Sequence, residues 1–360
     1  MEPDPQTMTP DPILIVGTER SGSNLLRLVL NSHSRIQVPH PPHLVRYFAP
    51  IIADYGDLSQ DENLLRLAED AVSLVSGHIY RWEHRLDPRA VAALAEPRDL
   101  LGVYFAVMEL DRRASGKARS ACKSTFMVHH IDTVRRARPG ARFLFLHRDP
   151  RDVAASARRS VFSTFHPWYT ANLWREEQAL GLRALGALPA GVILPVAYEA
   201  LVAAPERELR RICDFLGEAF EPAMLRHAET AEAQKSAGLA ESWARTGEPI
   251  SAASVSRYRA ALSEREIGLV EYVTRYELLA LGYVPEVAAP APPSAVELAR
   301  FAVEERAAEL RVELRSLRKD DNVAARWRRG AWLKLLRWRA ALRGRSTPRG
   351  ASPGAPGGPA

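Results

Sequence analysis

The 360-residue chain is 46% hydrophobic and 26% charged, the make-up of a globular protein with length for one large domain and appendages. Its two cysteines, Cys122 and Cys213, lie far apart, which excludes a disulfide framework and supplies no metal-ligand cluster. Of 49 Lys and Arg against 43 Asp and Glu, nine basic residues fall between Val323 and Arg349 with no acid among them, so 40 stand against 43 elsewhere and the body is slightly acidic.

Residues 1–11 are acidic and Pro-rich, without the basic and apolar regions of a secretion signal; a flexible N-terminus and no export are expected. The apolar run PILIVG then enters Gly17-Thr18-Glu19-Arg20-Ser21-Gly22-Ser23-Asn24 and an amphipathic helical pattern, SNLLRLVLNSH. A strand, loop and helix in this order aims backbone N–H groups and the positive end of a helix at an anion. Gly17 and Gly22 have the spacing of the loop GxxxxGK[ST], but Ser23 replaces its Lys and Asn24 its Mg²⁺-binding hydroxyl, which disfavours metal-assisted ATP hydrolysis. A plain capped turn is the competing reading.

Residues 57–113 are helical in pattern and read as an insertion over the sheet. Two further strand-to-helix pairs follow, ARFLFLH with DPRDVAASARRS and GVILPVAYE with PERELRRICDFLG. Alternation of this kind predicts an α/β fold, three layers around a central parallel sheet. The body runs from 12 to 285, and the Pro/Ala-rich stretch 286–295 reads as a linker. Helices are expected over 296–343. Val303, Ala307, Leu310, Leu314 and Leu317 recur in a four-three spacing, fitting a short coiled coil that would join copies of the chain, or a single amphipathic helix. Trp327, Ala331, Leu335, Trp338 and Leu342 then fall at helical spacing among exclusively basic polar residues. That suits an interfacial helix on an anionic membrane surface. A solvated basic face, nucleic-acid adhesion and packing on its own domain stay open, with nucleic acid not expected as a partner. Residues 344–360 are of low complexity and read as a disordered tail. No apolar run approaches the roughly 20 residues of a membrane span.

Arg20-Ser21-Gly22-Ser23-Asn24, FLFLHRDPRDVAASARRS, VAYEALVAAPERELRRICDFLG and YELLALGY together resemble the family of 3′-phosphoadenosine-5′-phosphosulfate (PAPS)-dependent sulfotransferases, from about Pro12 to Pro285. The resemblance implies a P-loop, nucleotide-kinase-like fold with a helical C-terminal extension. It implies a 5′-phosphosulfate loop at Arg20 to Asn24 and a 3′-phosphate site at Arg148 and Ser156, where charge-assisted bonds from both would converge on one phosphate. Tyr198 stands where relatives bring a side chain near the nucleotide, though a core tyrosine fits equally. Glu248 lies near the place of a lysine that some relatives carry in a late loop, with Arg257 or Arg245 as substitutes.

The reaction implied is in-line sulfuryl transfer from PAPS to an unidentified hydroxyl or amine acceptor, in the cytoplasm or at the inner membrane surface, without a metal. Arg20 would meet charge growing on the leaving 5′-phosphate. In VPHPPHLVRYF, His43 replaces a glutamate that relatives use as base and is the candidate general base, with His40 as alternative. Both also suit backbone-capping roles in a Pro-rich loop. Lys123, in CKSTF, resembles the family's Lys-Ser/Thr segment and completes the catalytic set; His129 and His130 read as structural. The alternatives are a nucleotide kinase or other phosphotransferase, and a non-catalytic membrane- or nucleic-acid-associated protein.

Overall fold

The computed structural model describes residues 11–78, 80, 82–160, 164–239, 241–319 and 323–344. Apart from Asp11 and Gly344, the stretches read as a flexible N-terminus and a disordered tail lie outside the described residues. Five strands, β1 (Ile13–Gly17), β2 (Ile36–Gln37), β3 (Arg119–Lys123), β4 (Arg142–His147) and β5 (Ile193–Ala197), form a parallel sheet in the order β2-β3-β1-β4-β5. Helix α1 (Ser23–Asn31) follows β1, and α2 (Leu44–Phe48) follows β2. The insertion before β3 is α3 (Asp61–Ser76), α4 (Pro88–Leu94) and α5 (Leu100–Ser115). Helix α6 (Ile131–Ala137) leads to β4, α7 (Pro150–Ala157) and α8 (Pro167–Ala187) join β4 to β5, and α9 (Tyr198–Ala203) and α10 (Pro205–Leu216) follow. Helices α11 (Ala231–Leu239), α12 (Tyr258–Ala261), α13 (Glu264–Ala280), α14 (Ala295–Lys319) and α15 (Val323–Gly344) complete the chain.

Both faces of the sheet are covered, which is why its strands read as continuous apolar runs rather than alternating ones. Leu14, Val16, Cys122, Phe143 and Phe145 face the layer that contains the insertion. Ile13, Ile15, Ala121, Leu144 and Leu146 face α1 and α10. Helix α10 shows how sequence sets that second layer. Leu209, Ile212, Cys213 and Leu216 fall at i, i+3, i+4 and i+7 and are all buried, while Glu206, Arg207, Arg210 and Asp214 are exposed. Replacing Ile212 by alanine would cost about 2–5 kcal/mol, the range for a truncated core side chain.

The stretch 281–294 holds no helix or strand, yet the helices beyond it turn back onto the body. Phe301 of α14 is buried and stacks on His166 with ring centroids 4.2 Å apart, and the Glu305 carboxylate accepts from the N–H groups of Phe165 and His166. Of the four-three stripe, Val303, Leu310 and Leu314 are exposed and Ala307 is half-buried; the Leu317 side chain lies outside the described residues. Helix α15 rests Trp332, Leu333 and Leu336 on the core beside the insertion, against the turn at Ala49–Tyr55. Packing on its own domain, one of the readings open for the basic helix, therefore holds for this face. Trp327, Ala331, Leu335 and Trp338 lie on the opposite, outward stripe. Among the described residues no helix is long and apolar enough to cross a membrane.

Candidate active site

In an open parallel sheet the ligand crevice lies beyond the carboxyl ends of the strands, where neighbouring strands leave in opposite directions. Here β1 is that strand, with β3 on one side and β4 on the other, and a cavity of about 670 Å³ opens there. The ends of four strands feed it: the loop after β1, Lys123 at the end of β3, Arg148 after β4 and Tyr198 after β5.

The loop is shaped by two glycines. Gly17 leaves the strand at φ +134°, and a Cβ there would come within 2.1 Å of the Leu146 carbonyl oxygen. Gly22 caps α1 at φ +91°, and a Cβ there would lie 2.3 Å from the Tyr198 ring. No side chain caps the first turn of α1 and no acid lies within it, so its N–H groups and dipole are directed at the cavity. The Ser21 hydroxyl and the Asn24 amide nitrogen are buried with no hydrogen-bond partner among the described protein atoms. Buried polar groups in this condition are costly unless a ligand engages them.

Arg20, Arg148 and Ser156 meet, although Arg20 follows β1 and the other two follow β4, more than 120 residues later in the chain. The Arg20 guanidinium donates to Ser156 Oγ through Nε and Nη2 at 3.3 and 3.2 Å. Arg148 Nη1 donates to the Arg20 carbonyl oxygen at 3.3 Å, Nη2 donates to the Ser254 carbonyl oxygen at 2.6 Å, and Nε is buried without a partner among the described atoms. Its guanidinium lies 4.4 Å over the Tyr198 ring, so Tyr198 supports both the loop and the arginine. Burial above all, opposed by Glu19 and reinforced by Arg148 and Arg159, draws Arg20 down to about 10, which leaves it cationic at neutral pH. Arg20 also takes a left-handed φ of 69°. Among the described residues the other non-glycine residues with positive φ are His43 and Ser256, both at this cavity or beside its wall. Clustered strain of this sort is a mark of functional sites.

His40, His43 and Lys123 line the same cavity, joined by His78. His40 is buried, stacked on Tyr80 and close to the rings of His78 and Trp243, and neither ring nitrogen has a partner among the described atoms. His43 is half-buried, and its Nδ1 is buried without a partner among the described atoms, which leaves Nε2 as the nitrogen for proton transfer. Burial, with Lys123 and then His78 and Arg329 adding repulsion, holds His43 well below the usual histidine value. Burial also brings Lys123 down to about 8 and His78 to about 3. Arg257 and Arg245 lie on the cavity wall near Glu248, with Arg245 paired to Glu248 at 3.6 Å. His129 instead pairs with Glu177 at 3.9 Å, and neither it nor His130 lines the cavity. Among the described residues no group of three or more His, Cys, Asp or Glu side chains is placed to hold a metal ion.

The residues that sequence reasoning missed are His78, Arg46, Arg159, Trp243, Arg329 and Arg337, all on the cavity wall. Arg329 and Arg337 were visible as part of the basic stretch; only tertiary packing brings them here. For His78, after the last turn of α3, no sequence signal exists.

The model of the Sulfotransferase family matches residues 12–222. The sulfotransferase domain of the Synechococcus PCC 7002 olefin synthase is similar in structure, at 23% identity and a TM-score of 0.50, covering 74% of this chain and 96% of that one. That likeness is one of fold. The sulfotransferase domain from the curacin biosynthetic pathway matches at 19% identity and a TM-score of 0.45, over 83% of this chain and 98% of its own. The sulfotransferase STF9 of Mycobacterium avium matches at 15% and 0.46, over 78% and 79%. The family match takes in more than half of the chain, including the phosphate loop, Lys123 and the Arg148 and Ser156 segment, and the chain accordingly belongs to the sulfotransferase family.

Proposed function

We propose that the cavity binds PAPS and transfers its sulfuryl group to a hydroxyl or amine acceptor. The observation that carries this reading is the convergence of Arg20, Arg148 and Ser156 on one another beside the uncapped start of α1. Such a constellation offers separate anion sites for the two ends of a nucleotide phosphorylated at both 3′ and 5′ positions. Bound there, PAPS supplies an activated sulfuryl group with the 5′-phosphate as leaving group. Ser21, the first turn of α1 and Arg20 hold the 5′ end, and Arg148 with Ser156 holds the 3′-phosphate.

Arg20 is positioned to meet charge that develops on the leaving oxygen, and Lys123 keeps a second cation across the cavity. His43 accepts the acceptor proton on Nε2: its depressed value keeps it neutral at pH 7, and it is half-buried where His40 is enclosed by rings. Calorimetry with 3′,5′-adenosine bisphosphate against ATP plus Mg²⁺ tests the class. Preference for the bisphosphate supports the reading, and preference for ATP with Mg²⁺ would transfer the site to a phosphotransferase.

For the outward stripe of α15 we propose peripheral attachment to an anionic lipid surface. Trp327, Leu335 and Trp338 are exposed on one side of the helix, flanked by Arg328, Lys334 and Arg339.

A further inference from the structure

The cationic lining of the cavity exceeds what the nucleotide needs. Among the described residues nine lining side chains are Lys or Arg and two, Glu19 and Glu248, are carboxylates, while Asp152 faces Arg148 at 3.5 Å. PAPS carries about four negative charges at neutral pH, nearly two of them on its 3′-phosphate monoester. With the three carboxylates also set against the cations, about two positive charges remain uncompensated.

The location of that surplus is legible. Arg46 is paired with Glu19, and Arg148 with Asp152, but no carboxylate pairs with Arg329 or Arg337 among the described residues. Arg329 is half-buried over the Tyr47 ring, 5.0 Å from its centroid, and both Nε and Nη2 are buried without a partner among the described atoms. Tyr47 in turn meets His43 edge to face, with centroids 6.5 Å apart, so the guanidinium sits one ring away from the candidate base. Phe126, under the Arg46 guanidinium, adds an aromatic wall at this end. A cation held this way without a counter-charge is destabilising by itself and is retained for what binds to it. It is also held firmly, because the same face of α15 seats Trp332, Leu333 and Leu336 in the core.

We propose that α15 closes the acceptor end of the cavity and that Arg329, assisted by Arg337 at the rim, binds an anionic group of the acceptor. The acceptor is then a hydroxyl or amine compound that also bears a carboxylate, phosphate or sulfate, with its nucleophile beside His43 and its anion on α15. This rests on the PAPS reading of the donor end.

The test uses the full chain saturated with 3′,5′-adenosine bisphosphate and two matched pairs of probes: 4-methylphenol with 4-hydroxyphenylacetate, and glucosamine with glucosamine 6-phosphate. Calorimetry should show the anionic member of at least one pair binding about tenfold tighter or better, as a charge-assisted bond to a desolvated guanidinium requires. Arg329→Gln should bring the two members within about twofold of each other, and Arg329→Lys should keep part of the preference, since it keeps the charge without the planar fork. Both variants should hold bisphosphate affinity within about twofold of the parent, which certifies their fold. A parent that binds bisphosphate but shows no preference for the anionic member in either pair, or binds no probe at all, overturns the proposal alone. So does a preference that survives in Arg329→Gln. A parent that fails to bind bisphosphate sinks the donor reading instead.

Discussion

Replacing Arg148 by alanine probes the proposed nucleotide clamp most directly. A guanidinium has five N–H donors. In Arg148, Nη1 donates to the Arg20 carbonyl oxygen, Nη2 donates to the Ser254 carbonyl oxygen and faces Asp152, and Nε–H is buried with no acceptor among the described atoms. That N–H and the second one on Nη1 remain for phosphate oxygens, and a single charge-assisted bond from Nε contributes about 1.5–3 kcal/mol. The loss corresponds to a rise in Kd of roughly 10- to 150-fold. With 3′,5′-adenosine bisphosphate at about 100 times its Kd the parent is stabilised by ~2.7 kcal/mol. For a domain of roughly 300 residues, with an unfolding entropy of about 2.1 cal/mol/K per residue, that is a rise in Tm of about 4–5 °C. At the same concentration a variant weakened tenfold keeps ~1.4 kcal/mol, and one weakened a hundredfold ~0.4 kcal/mol. The ligand-induced shift should therefore fall to half or less in Arg148→Ala, read by differential scanning fluorimetry and by calorimetric Kd. Arg148→Lys, which keeps a cation opposite Asp152 but lacks Nε–H, should lie between the two. A shift in Arg148→Ala equal to the parent's would refute the clamp.

Arg20→Ala should lower kcat by about 10²–10³-fold while changing bisphosphate affinity far less, because its charge is needed most as the leaving oxygen gains charge; equal losses in both would make it a binding residue only. The pH profile of kcat/KM for the free enzyme should have its acid limb below pH 6.5, since burial depresses His43 and keeps it neutral there, and an alkaline limb near pH 8 as Lys123 loses its proton. Lys123→Met should remove the alkaline limb, and an acid limb at or above 6.5 would take the base role away from His43. The full chain should pellet with phosphatidylserine vesicles at low salt and release as salt rises, and Trp327→Ala with Trp338→Ala should weaken this markedly. Pelleting unchanged by the pair of substitutions would show that the outward stripe is not the contact.

The sheet was legible because parallel strands buried on both faces leave continuous apolar runs, as in ILIVG and RFLFLH, each followed by a helix start. The loop from Arg20 to Asn24 was legible because its chemistry is local: glycines, small hydroxyls and a helix N-terminus lie within one short segment. Arg148 and Ser156 were found through family likeness, and their contact with Arg20 spans 136 residues from Ser156, a distance that no periodicity reports. The net charge misled about the site. The body as a whole is slightly acidic, yet its cavity wall is strongly basic, because acids are spent on helix surfaces and ion pairs elsewhere. The Pro/Ala stretch marks a break in regular structure without predicting that α14 and α15 would return to the body, since that return depends on Phe301, Trp332 and Leu336 finding apolar surface distant in sequence.

Arg27, in the middle of α1, is fully buried and holds three parts of the molecule at once. Its guanidinium donates to Asn24 Oδ1 at 3.1 Å, to the Val38 carbonyl oxygen at 3.2 Å, to Ser236 Oγ at 3.1 Å and to the Glu232 carboxylate, which also accepts from Asn31. Helix α11, which carries Glu232 and Ser236, leads directly into the turn bearing Trp243, Arg245 and Thr246 on the far wall. These bonds predict that the phosphate loop and the far wall open together, so that a nucleotide quieting the first should quiet the second. Amide hydrogen exchange should then slow across 231–247 by a factor similar to that at 22–27 when 3′,5′-adenosine bisphosphate binds, even at amides the nucleotide never reaches. Glu232→Gln should uncouple the two rates.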